Sequence, residues 1–252
     1  MKILFCSDPL SPGEPDSCWL DEVQAAERAG LGWALLDFEE LRVRRAPREE
    51  LLIYRGWMLP SARYAELCAQ GWRLINDAQA YRCCHEFPAS YPLIEPYTPR
   101  SVWTEGPEIP EGLLAPFGSR SLVVKDYVKS RKHEWDQACF IPTPADVPLV
   151  VARFLELQGP DFQGGLVFRE YVELDRARET RLFFLDGELI WGEPREPFVT
   201  LARSVPSRFF SMDIAPLGER WIIVELGDGQ VAGLPDDVDR DAFYRALLTA
   251  SD

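Results

Sequence analysis

Histidine is almost missing from this chain, and its scarcity is the first constraint. Only His85 and His133 occur, and the six cysteines (Cys6, Cys18, Cys68, Cys83, Cys84, Cys139) form no CxxC pair. A structural zinc site draws four clustered nitrogen and sulfur ligands. Cys83-Cys84-His85 therefore reads as reduced thiols beside a histidine, the usage of a cytosolic protein. Positive charge is short as well. Twenty-seven Lys and Arg face 41 Asp and Glu, for a net charge of −14. Non-specific nucleic-acid binding relies on Lys and Arg neutralising phosphates, so nucleic acid is excluded as a bulk partner. An anionic membrane surface is excluded on the same ground. No apolar run approaches the ~20 residues of a membrane helix. The opening MKILFCSDPL lacks the apolar core and cleavage site of a signal peptide. There is no internal repeat and no low-complexity tract. The expectation is a soluble, cytoplasmic protein with neither membrane nor nucleic acid as partner.

What is present is an ordinary globular composition, 46% hydrophobic over 252 residues, enough for one large domain or two small ones. Lys2–Cys6 reads as a buried first strand. Trp19–Ala29 has helical spacing and stops at Gly30. Trp33–Phe38 and Leu51–Tyr54 are strands, Ala62–Ala69 is a helix stopped at Gly71, and Arg73–Ile75 is a strand. Strand and helix alternating with short connections argue for a parallel sheet covered by helices, hence an α/β block to about residue 105. Proline then becomes dense, from Pro88 to Pro116, and reads as a connection. A second block, 106–252, mixes strands over Ser121–Ser130 and Leu166–Leu174 with a helix over Val147–Leu157. It continues with a hairpin turning at Asp186-Gly187, a second hairpin, and a closing helix over Asp241–Leu248.

The second hairpin carries the sharpest signal. In FFSMDIAPLGERWIIVELGDG, a turn centred on Gly218–Arg220 sets Asp213 opposite Glu225. Phe210, Met212, Ile214, Ile222, Val224 and Leu226 then share the other face. Like charges directly opposite on one face are destabilising unless something offsets them. Asp228 lies three residues further on, and three carboxylates suit a hard divalent cation. On the hairpin alone, a metal site and a solvated face with incidental acids stand level.

Upstream, Lys125 interrupts an apolar strand, where a lysine either meets an anion or snorkels to water. Lys129, Arg131, Lys132 and His133 form a cationic run after it, against an anionic ligand or simply solvated. In Arg169-Glu170-Tyr171-Val172-Glu173, alternation sends Arg169, Tyr171 and Glu173 to one face. Glu179 and Arg181 are also same-face neighbours. Charges entering apolar strands pair or bind something. Internal pairs, Glu179 with Arg181 or Arg169 with Glu225, are the plainer alternative.

The order of these segments resembles the ATP-grasp superfamily, with closest likeness to a small bacterial and phage clade of unassigned substrate. VVKDYVKS is similar to its lysine strand and REYVEL to its adenine-contacting linker. ETRLFFLDGELI is similar to its E-x-R hairpin, and DIAPLGERWIIVELGDG to its metal-binding end. The likeness covers roughly residues 119–235. It departs at Gly227, where the family commonly has Asn, and at Ser130–Pro144, where no glycine marks a phosphate loop. The resemblance implies an α+β ATP-grasp fold, two lobes clamping ATP, preceded by an N-terminal α/β domain over 1–105. It implies an ATP-dependent ligase that joins a carboxylate to an amine, from small molecules or peptides, through an acyl phosphate. In that reading Lys125 binds phosphates with Lys129 or Arg131 assisting, Glu170, Tyr171 and Val172 line adenine, and Glu173 takes the ribose. Asp213, Glu225 and Asp228 hold Mg²⁺, and Arg181 steadies the transferred phosphoryl group. Arg55, at the end of an N-terminal strand, is placed for a substrate carboxylate, or else for an interlobe ion pair. A nucleotide-binding protein without catalysis and a plain metal-binding module are the alternatives. Monomer and homodimer both stay open.

Overall fold

A computed structural model describes residues 1–250. In chain order it forms β1 (Lys2–Cys6), α1 (Leu20–Arg28), β2 (Gly32–Asp37), β3 (Arg42–Arg44), β4 (Leu51–Arg55), α2 (Ser61–Ala69), β5 (Arg73–Leu74) and α3 (Ala78–His85). Then come α4 (Phe87–Ile94), β6 (Ser101–Trp103), β7 (Leu122–Asp126), α5 (Trp135–Ala138), β8 (Phe140–Ile141), α6 (Val147–Gln158) and β9 (Leu166–Glu170). The chain ends with β10 (Thr180–Leu185), β11 (Glu188–Trp191), α7 (Phe198–Ala202), β12 (Phe209–Leu217), β13 (Arg220–Asp228) and α8 (Arg240–Thr249).

Two compact units result. One holds Met1–Cys84, Thr180–Asp213 and Glu225–Asp252; the other holds His85–Glu179 and Ile214–Val224. The boundary expected near residue 105 falls inside the second unit, because residues 85–105 cluster with the chain from 106 to 179.

The first unit contains a five-stranded sheet in the order β3-β2-β1-β4-β5. β1 runs parallel to both β2 and β4. Strands buried on both faces read as continuous apolar runs, and in KILFC the last four residues are buried. Leucine, isoleucine and phenylalanine side chains of β1 and β4 meet Val23 of α1 and Phe243 and Leu247 of α8 in one core. The β10–β11 hairpin turns at Asp186 (φ 51°) and Gly187 (φ 80°), as expected. Two successive positive φ angles are what a two-residue type I′ turn needs. The second hairpin turns at Gly218 (φ 62°) and Glu219, and β13 resumes at Arg220. These four strands form a sheet in the order β11-β10-β12-β13.

The second unit contains the sheet β6-β9-β7-β8, antiparallel throughout. β7 alternates cleanly: Leu122, Val124 and Asp126 are buried, and Val123 and Lys125 are half-buried. Leu122, Val124, Ile141 and Phe168 pack under Val150 and Phe154 of α6. Thr143 and Asp146 make a capping box just ahead of α6. The proline-rich stretch, expected as a connection without disorder, holds helix α4 and strand β6. Pro88 lies in the first turn of α4, where a missing N–H costs no helical bond, although Pro92 lies inside the same helix.

Candidate functional site

In the second unit, β7 brings Lys125 to the face opposite the α6 core. β7 and β9 pair with Val123 against Arg169 and Lys125 against Val167, so Lys125 and Arg169 are diagonal neighbours on that face. The Phe87 ring lies beneath both, 5.9 Å from Lys125 Nζ and 5.9 Å from the Arg169 guanidinium carbon. Arg169 also donates to Ile223 O (3.0 Å), Val224 O (2.5 Å) and Thr98 Oγ1 (2.6 Å). It is thus tied to backbone carbonyls. Asp126, the last residue of β7, turns the chain. Its Oδ1 accepts from the N–H groups of Val128 (2.8 Å) and Lys129 (2.6 Å), and its Oδ2 from Gln158 Nε2 (2.6 Å). Lys129 leaves this turn exposed. Arg131 does not join it, because its guanidinium donates to Leu157 O. Where the sequence carries no glycine-rich loop, a short 3-10 turn and α5 stand instead.

β9 ends at Glu170, and Tyr171–Asp175 leave the sheet without regular structure. The backbone N–H of Glu170 donates to Arg100 O, and that of Tyr171 to Ser121 O. The Glu170 side chain pairs with Arg120 at 3.2 Å. Tyr171, 38% exposed, joins Trp135 and Phe140 in an aromatic cluster. Val172 is half-buried and Glu173 is exposed.

In the first unit, neighbouring strands β10 and β12 bring Arg181 onto Asp213. The contact is a two-pronged ion pair: Arg181 Nε to Oδ1 and Nη2 to Oδ2, both 2.7 Å. Arg181 Nη1 donates to Gly233 O at 2.8 Å. Both side chains keep contact with solvent, at 31% and 15% exposure. At the base of the second hairpin, Gly229 N donates to Phe209 O, and Ser211 Oγ to Gly227 O. Counted inward in steps of two from those pairs, Asp213 falls beside Glu225. Glu225 is half-buried.

Two expected residues sit elsewhere. Arg55 is fully buried, so it offers no face to a substrate carboxylate. Its guanidinium donates to both oxygens of Glu22 and to Gly229 O (2.6 Å) and Ala232 O (2.7 Å). Tyr244 Oη donates to Glu22 Oε2 at 2.6 Å. The geometry corrects both readings of Arg55: its ion pair with Glu22 lies within the first unit, not between lobes. Asp228 is 1% exposed and turns away from the acid face of the hairpin. It accepts from Asn76 Nδ2 (2.7 Å), Gln230 N (2.9 Å) and Gln230 Nε2 (3.1 Å). Burial pushes its carboxyl up to about 7, against the pull of those donors. Its separation from Asp213 and Glu225 comes from the extra residue, since Asp228 is three positions from Glu225 and so faces the other way.

Sequence reasoning missed Asn76, Gln230 and Phe87, each a single residue without local pattern. Among the described residues no group of three His, Cys, Asp or Glu side chains is arranged to hold a metal. No helix among them is long and apolar enough to cross a membrane.

The sequence matches the family profile described as ATP-grasp domain, R2K clade family 3, over residues 116–247. No curated protein matches it. Among solved structures, D-cycloserine synthetase DcsG is similar at 15% identity, over 99% of each chain, with a TM-score of 0.64. An ATP-grasp RimK domain protein from Sphaerobacter thermophilus is similar at 13% identity, over 98% of each chain, with a TM-score of 0.64. The ATP-grasp ligase PsnB, solved with a phosphomimetic variant of its minimal precursor, Mg and ADP, shares 16% identity. That match covers 99% of this chain and 97% of the other, with a TM-score of 0.61. At such identities the likeness speaks for the fold. The profile match covers just over half of the chain, which therefore belongs to the ATP-grasp domain family, R2K clade family 3.

Proposed function

We propose that this protein is an ATP-dependent ligase joining a carboxylate to an amine through an acyl phosphate. The observation that carries the reading is the Arg181–Asp213 pair, an arginine and a carboxylate brought together at 2.7 Å yet both still solvent-accessible, on the hairpin that also bears Glu225. The donor set suits Mg²⁺, which is usually bound by one or two carboxylates together with substrate phosphates. Asp213 and Glu225 would hold it. When bound with ATP, it would neutralise charge on the phosphoryl oxygens.

The chain's own residues have these roles. Lys125 binds the phosphates as a point charge, with Lys129 assisting from the Asp126 turn. Glu170 to Val172 line the adenine, and Glu173 takes the ribose hydroxyls. Arg181 steadies the γ-phosphoryl group as it passes to the substrate carboxylate, a task of positioning and charge stabilisation. The amine then attacks the acyl carbon and phosphate leaves. PsnB is crystallised with a precursor peptide, and small-molecule and peptide carboxylates are both candidates for this chain.

The test is ADP release with Mg²⁺ and ATP over a panel of carboxylates and peptides, with hydroxylamine added to capture the acyl phosphate as a hydroxamate. Hydroxamate formation that tracks ADP supports the reading. No nucleotide-dependent rise in melting temperature with any Mg²⁺ nucleotide would sink it. A second reading, a nucleotide-binding protein without turnover, draws on the enclosure of Asp228. It requires ATP protection without ADP release.

A further inference from the structure

Asn76 lies between β5 and α3 and is 1% exposed. Its Oδ1 accepts from the backbone N–H of Arg208 (3.0 Å) and of Phe209 (3.1 Å). Its Nδ2 donates to Phe209 O (2.8 Å) and to Asp228 Oδ2 (2.7 Å). A side-chain amide has two acceptor lone pairs and two donors. All four are spent where β12 begins and β13 ends. Asp228 is braced in turn by Gln230, whose Nε2 also donates to Tyr64 Oη (2.9 Å). Tyr64 Oη donates to Asn76 O (2.8 Å), which closes a buried ring of polar groups.

We infer that Asn76 is a positioning residue for Asp213 and Glu225, fixing the register of the hairpin that presents them. The inference rests on reading those two acids as ligands of a divalent cation. A one-residue slip sends every side chain of a strand to its other face. Alternation of apolar and polar residues normally forbids such a slip. It does so weakly here, because Phe209, Phe210, Ser211, Met212, Ile214 and Ala215 are all buried and only Asp213 among them is not. Hydrogen bonds at the base must supply the discrimination that burial lacks. Asn76 supplies four.

The test measures Mn²⁺ affinity by electron paramagnetic resonance, in the presence of a non-hydrolysable ATP analogue and well below each variant's melting temperature. Asn76→Asp keeps the acceptors for Arg208 and Phe209 but sets a carboxylate against Asp228. We expect Mn²⁺ to bind about 10–100-fold more weakly, the scale of losing a group that orients a metal ligand, here through strand register because Asn76 bonds neither acid. Amide exchange across β12 and β13 should accelerate in parallel. Leu67→Ala, a fully buried core truncation, should lower the melting temperature and leave Mn²⁺ affinity unchanged. The double variant Asn76→Asp/Asp228→Asn restores a donor–acceptor pair between the two positions, though not the bond to Phe209 O, and should bind Mn²⁺ measurably more tightly than Asn76→Asp alone. It also decides the matter if the single variant does not fold. A folded Asn76→Asp protein with normal Mn²⁺ affinity would overturn the inference, as would a folded double variant that stays weak. Asp213→Asn separates the two layers. If it too leaves Mn²⁺ affinity intact, the cation reading falls and takes the clamp with it. If it weakens Mn²⁺ while Asn76→Asp does not, only the clamp falls.

Discussion

Two arginine–carboxylate pairs in the first unit use nearly the same bonds under opposite conditions. Arg55 and Glu22 meet at 2.9 Å with the arginine wholly enclosed. Arg181 and Asp213 meet at 2.7 Å with both partners in reach of solvent. The enclosed pair spends its remaining donors on Gly229 O and Ala232 O, and its acid is also claimed by Tyr244. It joins β4, α1, α8 and the segment after β13, and it can only be structural. Burial alone would lower the affinity of Arg55 for its proton; Glu22 beside it outweighs that and keeps the guanidinium charged. The accessible pair keeps a side open to solvent, which is what a ligand-binding pair requires. Charge pairing is common to both, so solvent access separates scaffold from candidate site.

The largest expected effect tests the enclosed pair. Arg55→Met removes the guanidinium and strands the Glu22 carboxylate in the core. Breaking a buried pair by deleting one partner costs about 3–5 kcal/mol. Urea unfolding should register a loss of that size, with the metal-dependent nucleotide shift of the folded fraction intact. A loss below about 1 kcal/mol would erase the contrast. Asp213→Asn should invert the pattern. Stability should move by no more than about 1 kcal/mol, as for accessible pairs. ADP release should fall by about 100-fold or more, the scale seen when one charge-stabilising group is lost. Equal damage to stability and turnover would place Asp213 with the scaffold.

The contrast also explains which features were legible in the sequence. β1, α1, β2, β4, α2, α6, α8 and the turn at Asp186-Gly187 arise from local pattern: apolar runs, helical spacing, Gly stops and paired positive φ. For Lys125, Arg181 and Asp213 only the strand face was legible, because alternation assigns one to each charge. Arg55 and Asp228 were not, because their surroundings come from afar. Glu22 is 33 residues from Arg55, and Asn76 is 152 residues from Asp228. Nothing in TyrArgGlyTrp or Gly-Asp-Gly announces those partners. Helix α4 was hidden by its two prolines, since the same residue that breaks a helix is tolerated in its first turn.

A smaller effect bears on Asp228, the enclosed carboxylate of the hairpin. Its folded value, raised to about 7, exceeds the ordinary aspartate value. The folded state therefore binds more protons than the unfolded state between the two. Stability from this group is fully present below the unfolded value and is lost as pH rises through the folded one. Across pH 5 to 6 the expected loss is about 1 kcal/mol, from 1.36 kcal/mol per unit. Other carboxylates slope the opposite way; Glu50 and Asp241 are held low by the N-terminal amine and by Arg28. The test is thus a difference: unfolding free energy of wild type minus that of Asp228→Asn across this range. The difference should fall with rising pH.

The smallest effect returns to the accessible pair. Arg181→Lys keeps the charge and loses the planar fork that grips both oxygens of Asp213. Urea unfolding should change by about 0.5 kcal/mol or less, since the partners are already solvated. Turnover should fall further than this stability change accounts for, because a lysine presents a point charge where a fork had fixed direction. The split between kcat and KM for ATP sharpens the assignment. If kcat falls and KM holds, Arg181 acts on the phosphoryl group in transit. If KM rises alone, it contributes only to holding the nucleotide. If neither moves, the pair is a second scaffold contact that happens to lie near solvent, and accessibility no longer distinguishes the two arginines.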